Sequence, residues 1–308
     1  MKDLLRFYSS DRWMMRLAVA VLAAGVPVRS QEVAPGAPPA ESSSPAPALF
    51  QRVVVLGASL TSGFNSAQPF GGPETRQYRF ANYVEAALTG RHEPVASHAS
   101  SFLFFSPRET MENQVNATVA AKPSLVIALD AMFWFCYGGG MTREQRLELF
   151  DWGLRQLQRV EAPLIVGDIP DASKAVGGML GMAQMPELST IAQCNQRLKT
   201  WAASRRGVTV FPLSRIMATA TANEELILAG CTWPRGKTRA LVQADHLHPS
   251  LGGLAALAVA VLDAAAAAAT PPVPATSLRR DLEAVYTAAI ARGKVEAANR
   301  ANAREPSE

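Results

Sequence analysis

The sequence predicts an α/β protein with three layers, α/β/α, in which helices cover both faces of a five-stranded, mostly parallel sheet. Short apolar runs bounded by glycine, proline or polar residues alternate with segments that carry apolar residues every three or four positions. This alternation favours a parallel sheet, because helices carry the chain back between parallel strands. The 308 residues, 48% of them hydrophobic, suffice for one large core. The predicted strands are 53–57, 94–98, 125–130, 164–168 and 208–211.

Two of the predicted helices have clear sequence signals. Thr142 with Gln145 three residues later forms a capping box, the usual start of a helix, and apolar residues follow at helical spacing. Near the end of the domain, an alanine-rich run is interrupted by Asp263. We therefore expect the run to be a buried helix rather than a membrane span.

Charge is concentrated at the N-terminus. The net charge is +4, but residues 1–30 hold five basic and two acidic residues, which leaves 25 basic and 24 acidic residues elsewhere. A nearly neutral body has no electrostatic footprint for nucleic acid. Arginines followed by the apolar run 17–28 are typical of a signal peptide, which is expected to span 1–30, and the run is short for a membrane span. Export to the periplasm or the medium is expected, with an uncleaved membrane anchor as the alternative.

Composition divides the rest of the chain. Residues 31–49 are rich in proline, alanine and serine and read as a linker. The folded domain is expected to span 50–269, and 270–308 to hold a second linker and a polar helix that docks, binds a partner or stays loose. The oligomeric state is left open. Three cysteines without C-x-x-C spacing predict no metal site, and no cofactor is expected.

The turn after the first predicted strand raises the central functional question. "GASLT" places Ser59 among small residues at the carboxyl edge of the sheet, where its hydroxyl could act as a nucleophile or the turn could cradle a phosphate. A Walker loop is excluded because no Gly-Lys-Ser/Thr follows. The G-x-S-x-G nucleophile turn of α/β-hydrolases is excluded because Thr61 stands at the position of its second glycine.

A second motif, "DHLHP", favours the nucleophile. A serine needs a base to remove its proton, and an imidazole base needs a third group that fixes its orientation. Asp245 lies three residues before His248, within reach of its ring. The two motifs suggest a catalytic triad of Ser59, Asp245 and His248, in that chain order.

With both motifs, the chain resembles the GDSL or SGNH hydrolase family, whose patterns are G-D-S-L-T and D-x-x-H-P. The resemblance covers roughly residues 51–268. It implies a flavodoxin-like sheet, Ser59 as nucleophile, His248 as base, Asp245 as its partner, and ester hydrolysis through an acyl-enzyme without a metal.

This sequence differs from the family pattern at two positions that concern stabilisation of the oxyanion. The family's second backbone donor corresponds best to the amide of Ser100, and the asparagine of its G-x-N-D motif corresponds to Asp130. An ionised carboxylate accepts hydrogen bonds and repels an oxyanion. Asp130 could become a donor if burial protonates it, could bind a substrate hydroxyl, or could turn away and leave the oxyanion to backbone amides.

These observations together predict an exported serine esterase that hydrolyses a small or acetyl ester, and an acetylated glycan is one candidate substrate. Membrane contact is expected only through the signal segment. One rival is a binding protein on the same fold, with hydrolysis impaired by Asp130. An acyltransferase with the same site and a nucleotide-dependent oxidoreductase that uses the turn from Gly57 to Gly63 are the others.

Overall fold

The structure is a computed structural model that describes residues 46–302. Its main sheet has five strands, each at a predicted position, and every pairing between them is parallel. The order is β2-β1-β3-β4-β5, the flavodoxin-like order, so the predicted α/β class is confirmed. The strands are β1 (Val53–Val55), β2 (Ala96–Ser97), β3 (Leu125–Ala128), β4 (Leu164–Gly167) and β5 (Val208–Phe211).

Helices flank both faces of this sheet. The predicted capping box is present at the start of the fifth helix, where Thr142 and Gln145 exchange side-chain and backbone hydrogen bonds. The helices are α1 (Ser59–Ser62), α2 (Phe80–Ala87), α3 (Pro107–Ala120), α4 (Phe133–Tyr137), α5 (Arg143–Leu157), α6 (Leu188–Ala203), α7 (Leu213–Thr221), α8 (Leu251–Ala268) and α9 (Leu282–Asn302).

Alternating side chains divide the core into two layers. On β1, Val53 and Val55 face a cluster that includes α2, α8 and α9, while on β3 Val126 and Ala128 face a cluster that includes α3, α5 and α6. Successive residues of a strand point to opposite faces, and these strands are buried on both, which explains their nearly unbroken apolar sequences.

A short hairpin lies outside the main sheet. Strands β6 (Leu226–Leu228) and β7 (Cys231–Trp233) pair antiparallel between α7 and the "DHLHP" segment. This hairpin was not among the predicted strands. Its inward residue Leu228 joins Leu241 and Ala256 in a third small apolar cluster, which closes one side of the carboxyl edge of the sheet.

The C-terminal segment belongs to the packed body. Of the three alternatives for 270–308, docking is the one observed for the described part, since Leu278, Val285 and Ala289 are buried in the cluster with α2 and α8. At the other end, Ala46 is buried and donates a backbone hydrogen bond to Arg91, so packing begins slightly before Phe50. The predicted signal peptide lies outside the described residues.

Helix α8 has the expected character of a core helix. Among residues 46–302 it alone is long and apolar enough to cross a membrane, but most of its length is buried inside the protein. Its N-cap, Ser250, accepts a hydrogen bond from the Gly253 amide. The helix thereby begins directly after His248 and Pro249 and fixes the position of that segment.

Candidate active site

The structure brings Ser59, His248 and Asp245 together at the carboxyl edge of the sheet. His248 Nε2 lies 2.8 Å from Ser59 Oγ, and His248 Nδ1 lies 2.7 Å from Asp245 Oδ2. With Nδ1 donating to the carboxylate, Nε2 is the nitrogen that accepts the serine proton. The three residues, predicted from two separate motifs, form one hydrogen-bonded chain across 189 positions of sequence.

The Asp245 carboxylate also shapes its own loop. Its Oδ1 accepts the backbone N–H groups of Leu247 and His248, both at 3.0 Å. Burial by itself raises the pKa of Asp245, but the hydrogen bond and charge of His248 together with these two amides outweigh it and lower the pKa below the usual value. The side chains of Asp245 and His248 are only 4% and 3% exposed, so water competes little for the pair.

Two residues that sequence reasoning missed hold the imidazole segment. Phe64 stacks on the His248 ring with centroids 4.2 Å apart. Gln243 is buried, and its amide donates to the carbonyls of Phe64 and Pro249 while its oxygen accepts the Ser66 N–H. Gln243 thus ties the chain after α1 to the segment that carries His248. No local sequence signal distinguishes this glutamine, because its partners lie up to 179 positions away.

Asp130 turns toward the backbone of the serine turn. Its oxygens accept the N–H groups of Ala58 at 2.9 Å, Leu60 at 2.8 Å and Thr61 at 3.4 Å, and the Thr61 hydroxyl at 2.5 Å. Asp130, in the segment that follows β3, therefore caps the first turn of α1, although it also lines the adjacent cavity. Of the three alternatives for this residue, the observed contacts correspond to the one in which the carboxylate turns away.

The Ser100 amide is engaged elsewhere. Its N–H donates to the Gly57 carbonyl at 3.0 Å, which continues the pairing of β2 with β1, and its hydroxyl accepts the Phe102 N–H. This is a correction to the expectation that the Ser100 amide is a free donor. Within 46–302, the amides of Ser59 and Ser101 have no acceptor, and Ser101 Oγ lies 2.8 Å from Ser62 Oγ on α1.

The backbone at Gly57 is held on both sides. Gln114 on α3 accepts the Gly57 N–H at 3.0 Å and donates to its carbonyl at 2.9 Å. Gly57 has φ +151°, which side-chain-bearing residues rarely adopt, and an added Cβ would overlap Asp130 Oδ1. The glycine of "GASLT" is therefore required by both its conformation and the close approach of Asp130.

Replacing Gly57 by alanine should destabilise the protein by about 3 kcal/mol, through backbone strain plus displacement of Asp130. Gly71→Ala is the matched control, since φ there is +94° and nothing lies within 4 Å of the added Cβ. Urea denaturation of both variants measures the difference. Equal losses of unfolding free energy would mean that the overlap with Asp130 costs nothing.

Burial of Asp130 leads to a pH prediction. Burial raises its pKa above the usual value, although the Thr61 hydroxyl and the three amides oppose the shift. In the pH window between the unfolded and the raised folded pKa, the native state binds more protons, so stability falls as pH rises. The quantity to follow is the difference in unfolding free energy between wild type and Asp130→Asn. As pH rises above ~4, we expect this difference to fall by up to about 1.4 kcal/mol per pH unit and then to level off.

Urea titrations at half-unit pH steps measure this difference. Asp151→Asn serves as the control, since that carboxylate pairs with Arg197 and is partly exposed. A wild-type curve that runs parallel to the Asp130→Asn curve over the whole window would contradict a raised pKa.

Comparison with known proteins gives distant structural likenesses. No protein-family model and no curated protein sequence matches the chain. Among solved structures, a lipase/acylhydrolase from Enterococcus faecalis is 15% identical with a TM-score of 0.47, over 70% of this chain and 96% of that one. The acetylxylan esterase Axe2 from Geobacillus stearothermophilus is 16% identical with a TM-score of 0.45, over 73% and 96%.

At such values the likeness assigns no activity to this chain, and the chemistry must be argued from the site. The site itself agrees with the two sequence motifs. The parallel sheet order, the serine directly after β1 and the contacts of Ser59 with His248 and of His248 with Asp245 are those that a resemblance to the GDSL or SGNH hydrolase family implies.

Proposed function

We propose that this protein is a serine ester hydrolase in which Ser59 is the nucleophile, His248 the general base and Asp245 the residue that orients the imidazole. The observation that carries the proposal is the unbroken chain of hydrogen bonds from Asp245 through His248 to the Ser59 hydroxyl. A serine hydroxyl becomes an effective nucleophile when a correctly oriented imidazole takes its proton.

The reaction proceeds in two balanced halves. Ser59 Oγ forms a bond to the ester carbonyl carbon while its proton passes to His248 Nε2. The tetrahedral intermediate then expels the alcohol, which takes that proton and leaves an acyl-enzyme. Water repeats the sequence: it gives a proton to His248, attacks the acyl carbon, and releases the carboxylic acid and the regenerated serine.

Backbone amides would stabilise the oxyanion. We assign this role to the N–H groups of Ser59 and Ser101, which have no acceptor within the described part of the chain. Asp130 serves the same step indirectly: it occupies the amides of Ala58, Leu60 and Thr61 and so fixes the turn that carries the Ser59 N–H. In this role the carboxylate is a positioning residue, and its charge is satisfied by hydrogen-bond donors.

We propose export on the basis of the N-terminal sequence. The proposal of a small or acetyl ester, free or on a glycan, is based on that compartment and on the family resemblance. An acyltransferase would use the same acyl-enzyme, with a sugar hydroxyl in place of water. Product analysis with and without an added glycan acceptor separates the two.

A fluorophosphonate probe tests the proposal. Ser59 Oγ should form a bond to phosphorus with loss of fluoride, and peptide mapping should place the adduct on Ser59. Ser59→Ala should abolish both labelling and turnover of p-nitrophenyl esters. Ser204→Ala is the control, a serine at the end of α6 whose hydroxyl donates to the Trp201 carbonyl.

Labelling of Ser59 without serine-dependent turnover of any ester would favour the rival binding protein. Asp130→Asn then decides whether the carboxylate is the cause, because turnover gained by that variant would identify an impaired oxyanion site. Absence of labelling would overturn the proposed nucleophile.

A further inference from the structure

An apolar cavity opens beside the Ser59 hydroxyl and the His248 ring. Its empty volume is about 690 Å³, including the part open to solvent. Ser59, Asp130 and His248 are its polar residues, and every other lining residue is apolar or glycine. The oxygens of Asp130 are already occupied by the serine turn, so Ser59 and His248 are the lining side chains that can offer an incoming group polar partners.

The walls come from elements on the β5 side of the sheet. Helix α7 contributes Leu213, Met217 and Ala220, the hairpin strand β6 contributes Leu228, and α8 contributes Leu257. Apart from Ala220, these side chains belong to three separate apolar clusters of the core, so all three clusters contribute to the walls. The β6–β7 hairpin thus supplies part of the cavity wall.

The position of the cavity restricts what it can bind. In an acyl-enzyme the acyl carbon is bonded to Ser59 Oγ, so the rest of the acyl group must extend into space next to that atom. A hydroxylated or charged group in this cavity would lose its hydration without gaining hydrogen bonds, which is costly. An acetyl methyl would leave most of the apolar walls without contact, whereas an alkyl chain would cover them.

We propose that this cavity is the acyl-binding site and that the protein prefers esters of unbranched aliphatic acids several carbons longer than acetate, of the hexanoyl to octanoyl class. The inference rests on the proposed hydrolase function. It assigns to that function a substrate with an acyl group longer than acetyl. Each methylene placed against the walls should raise kcat/KM about fourfold until the cavity is filled.

The first experiment needs no variant. A series of p-nitrophenyl esters from acetate to decanoate is compared on the wild-type protein, together with the rates at which ethyl and octyl fluorophosphonates label Ser59. We expect kcat/KM to rise from acetate to at least hexanoate and the octyl probe to label at least tenfold faster. A series that falls from acetate onward, with equal labelling rates, overturns the acyl site and leaves the hydrolase intact.

Failure of the function has a different signature. If neither probe labels Ser59 and no ester is turned over, the hydrolase proposal and this inference fall together. If chain length on the alcohol rather than on the acyl group raises kcat/KM, the cavity holds the leaving group, and the proposed acyl site is wrong.

A matched pair of variants then tests the walls. Ala220 lines the cavity and is buried, whereas Ala218 lies on the exposed side of the same helix. Ala220→Leu should lower the ratio of kcat/KM for octanoate to that for acetate at least tenfold, and Ala218→Leu should leave the ratio unchanged. If both ratios stay unchanged in folded proteins, α7 does not line the acyl site. Should Ala220→Leu not fold, Leu257→Ala gives the opposite test, a shift of the optimum to longer chains.

Discussion

Replacing His248 by glutamine should lower kcat for ester hydrolysis by about a millionfold and change KM little. Glutamine is close in size to histidine and could still hydrogen-bond to the Ser59 hydroxyl, but it cannot accept the serine proton. Loss of the base from a triad costs about as much as loss of the nucleophile, because the two act as one unit. The residual rate would come from the backbone amides and from binding.

A neighbouring histidine provides the control. His246 lies two residues earlier on the same loop, and its backbone N–H donates to the Gln243 carbonyl, whereas its ring is not part of the chain that reaches Ser59. His246→Gln should therefore keep kcat within about threefold of wild type. Comparable losses in the two variants would show that the loop, rather than the imidazole of His248, limits turnover.

The fold could be predicted from sequence because its signals are local. Apart from β2 (Ala96–Ser97), each strand of the main sheet is a short, mainly apolar run with its own boundaries, and the capping box of α5 needs only Thr142 and Gln145. The β6–β7 hairpin was not predicted because its strands have only three residues each. The two residues between them, Ala229 and Gly230, are not one of the typical hairpin turns Asn-Gly, Asp-Gly or Gly-Gly.

The residues of the site also fall into those that a local motif predicts and those that only the fold brings into place. Ser59, Asp245 and His248 were predicted because two short motifs, "GASLT" and "DHLHP", together supply the nucleophile, the base and the group that orients the base. Gln114 and Gln243 were missed because they act through backbone groups 57 and up to 179 positions away. A glutamine on a helix or in a loop is ordinary until the fold shows which amides it meets.

Asp130 illustrates why a motif position does not fix a role. Alignment with an asparagine suggested a conflict between a carboxylate and an oxyanion, and the conflict depends on where the oxygens point. Four donors from the serine turn surround them. The sequence contained a hint in Thr61, whose hydroxyl meets Asp130, but only the packing of β1 beside β3 makes the two adjacent.

The effect of Asp245→Asn should be the next largest, a fall of about ten-thousandfold in kcat. The asparagine oxygen could keep accepting the amides of Leu247 and His248, so the loop should keep its shape. Its amide NH₂ would then face His248 Nδ1 and favour the tautomer with hydrogen on Nε2. That nitrogen would donate toward Ser59 Oγ and could no longer take its proton.

A second aspartate separates this effect from loss of a loop contact. Asp281 also accepts backbone amides two and three residues ahead, those of Glu283 and Ala284, but it meets no imidazole. Asp281→Asn should leave kcat unchanged, and both variants should keep the circular dichroism spectrum of wild type. Because the pKa of Asp245 lies below its usual value, its carboxylate should stay ionised in mildly acidic solution. If Asp245→Asn loses less than tenfold, the carboxylate supports the loop alone, and orientation of the imidazole must then come from Phe64 and Gln243.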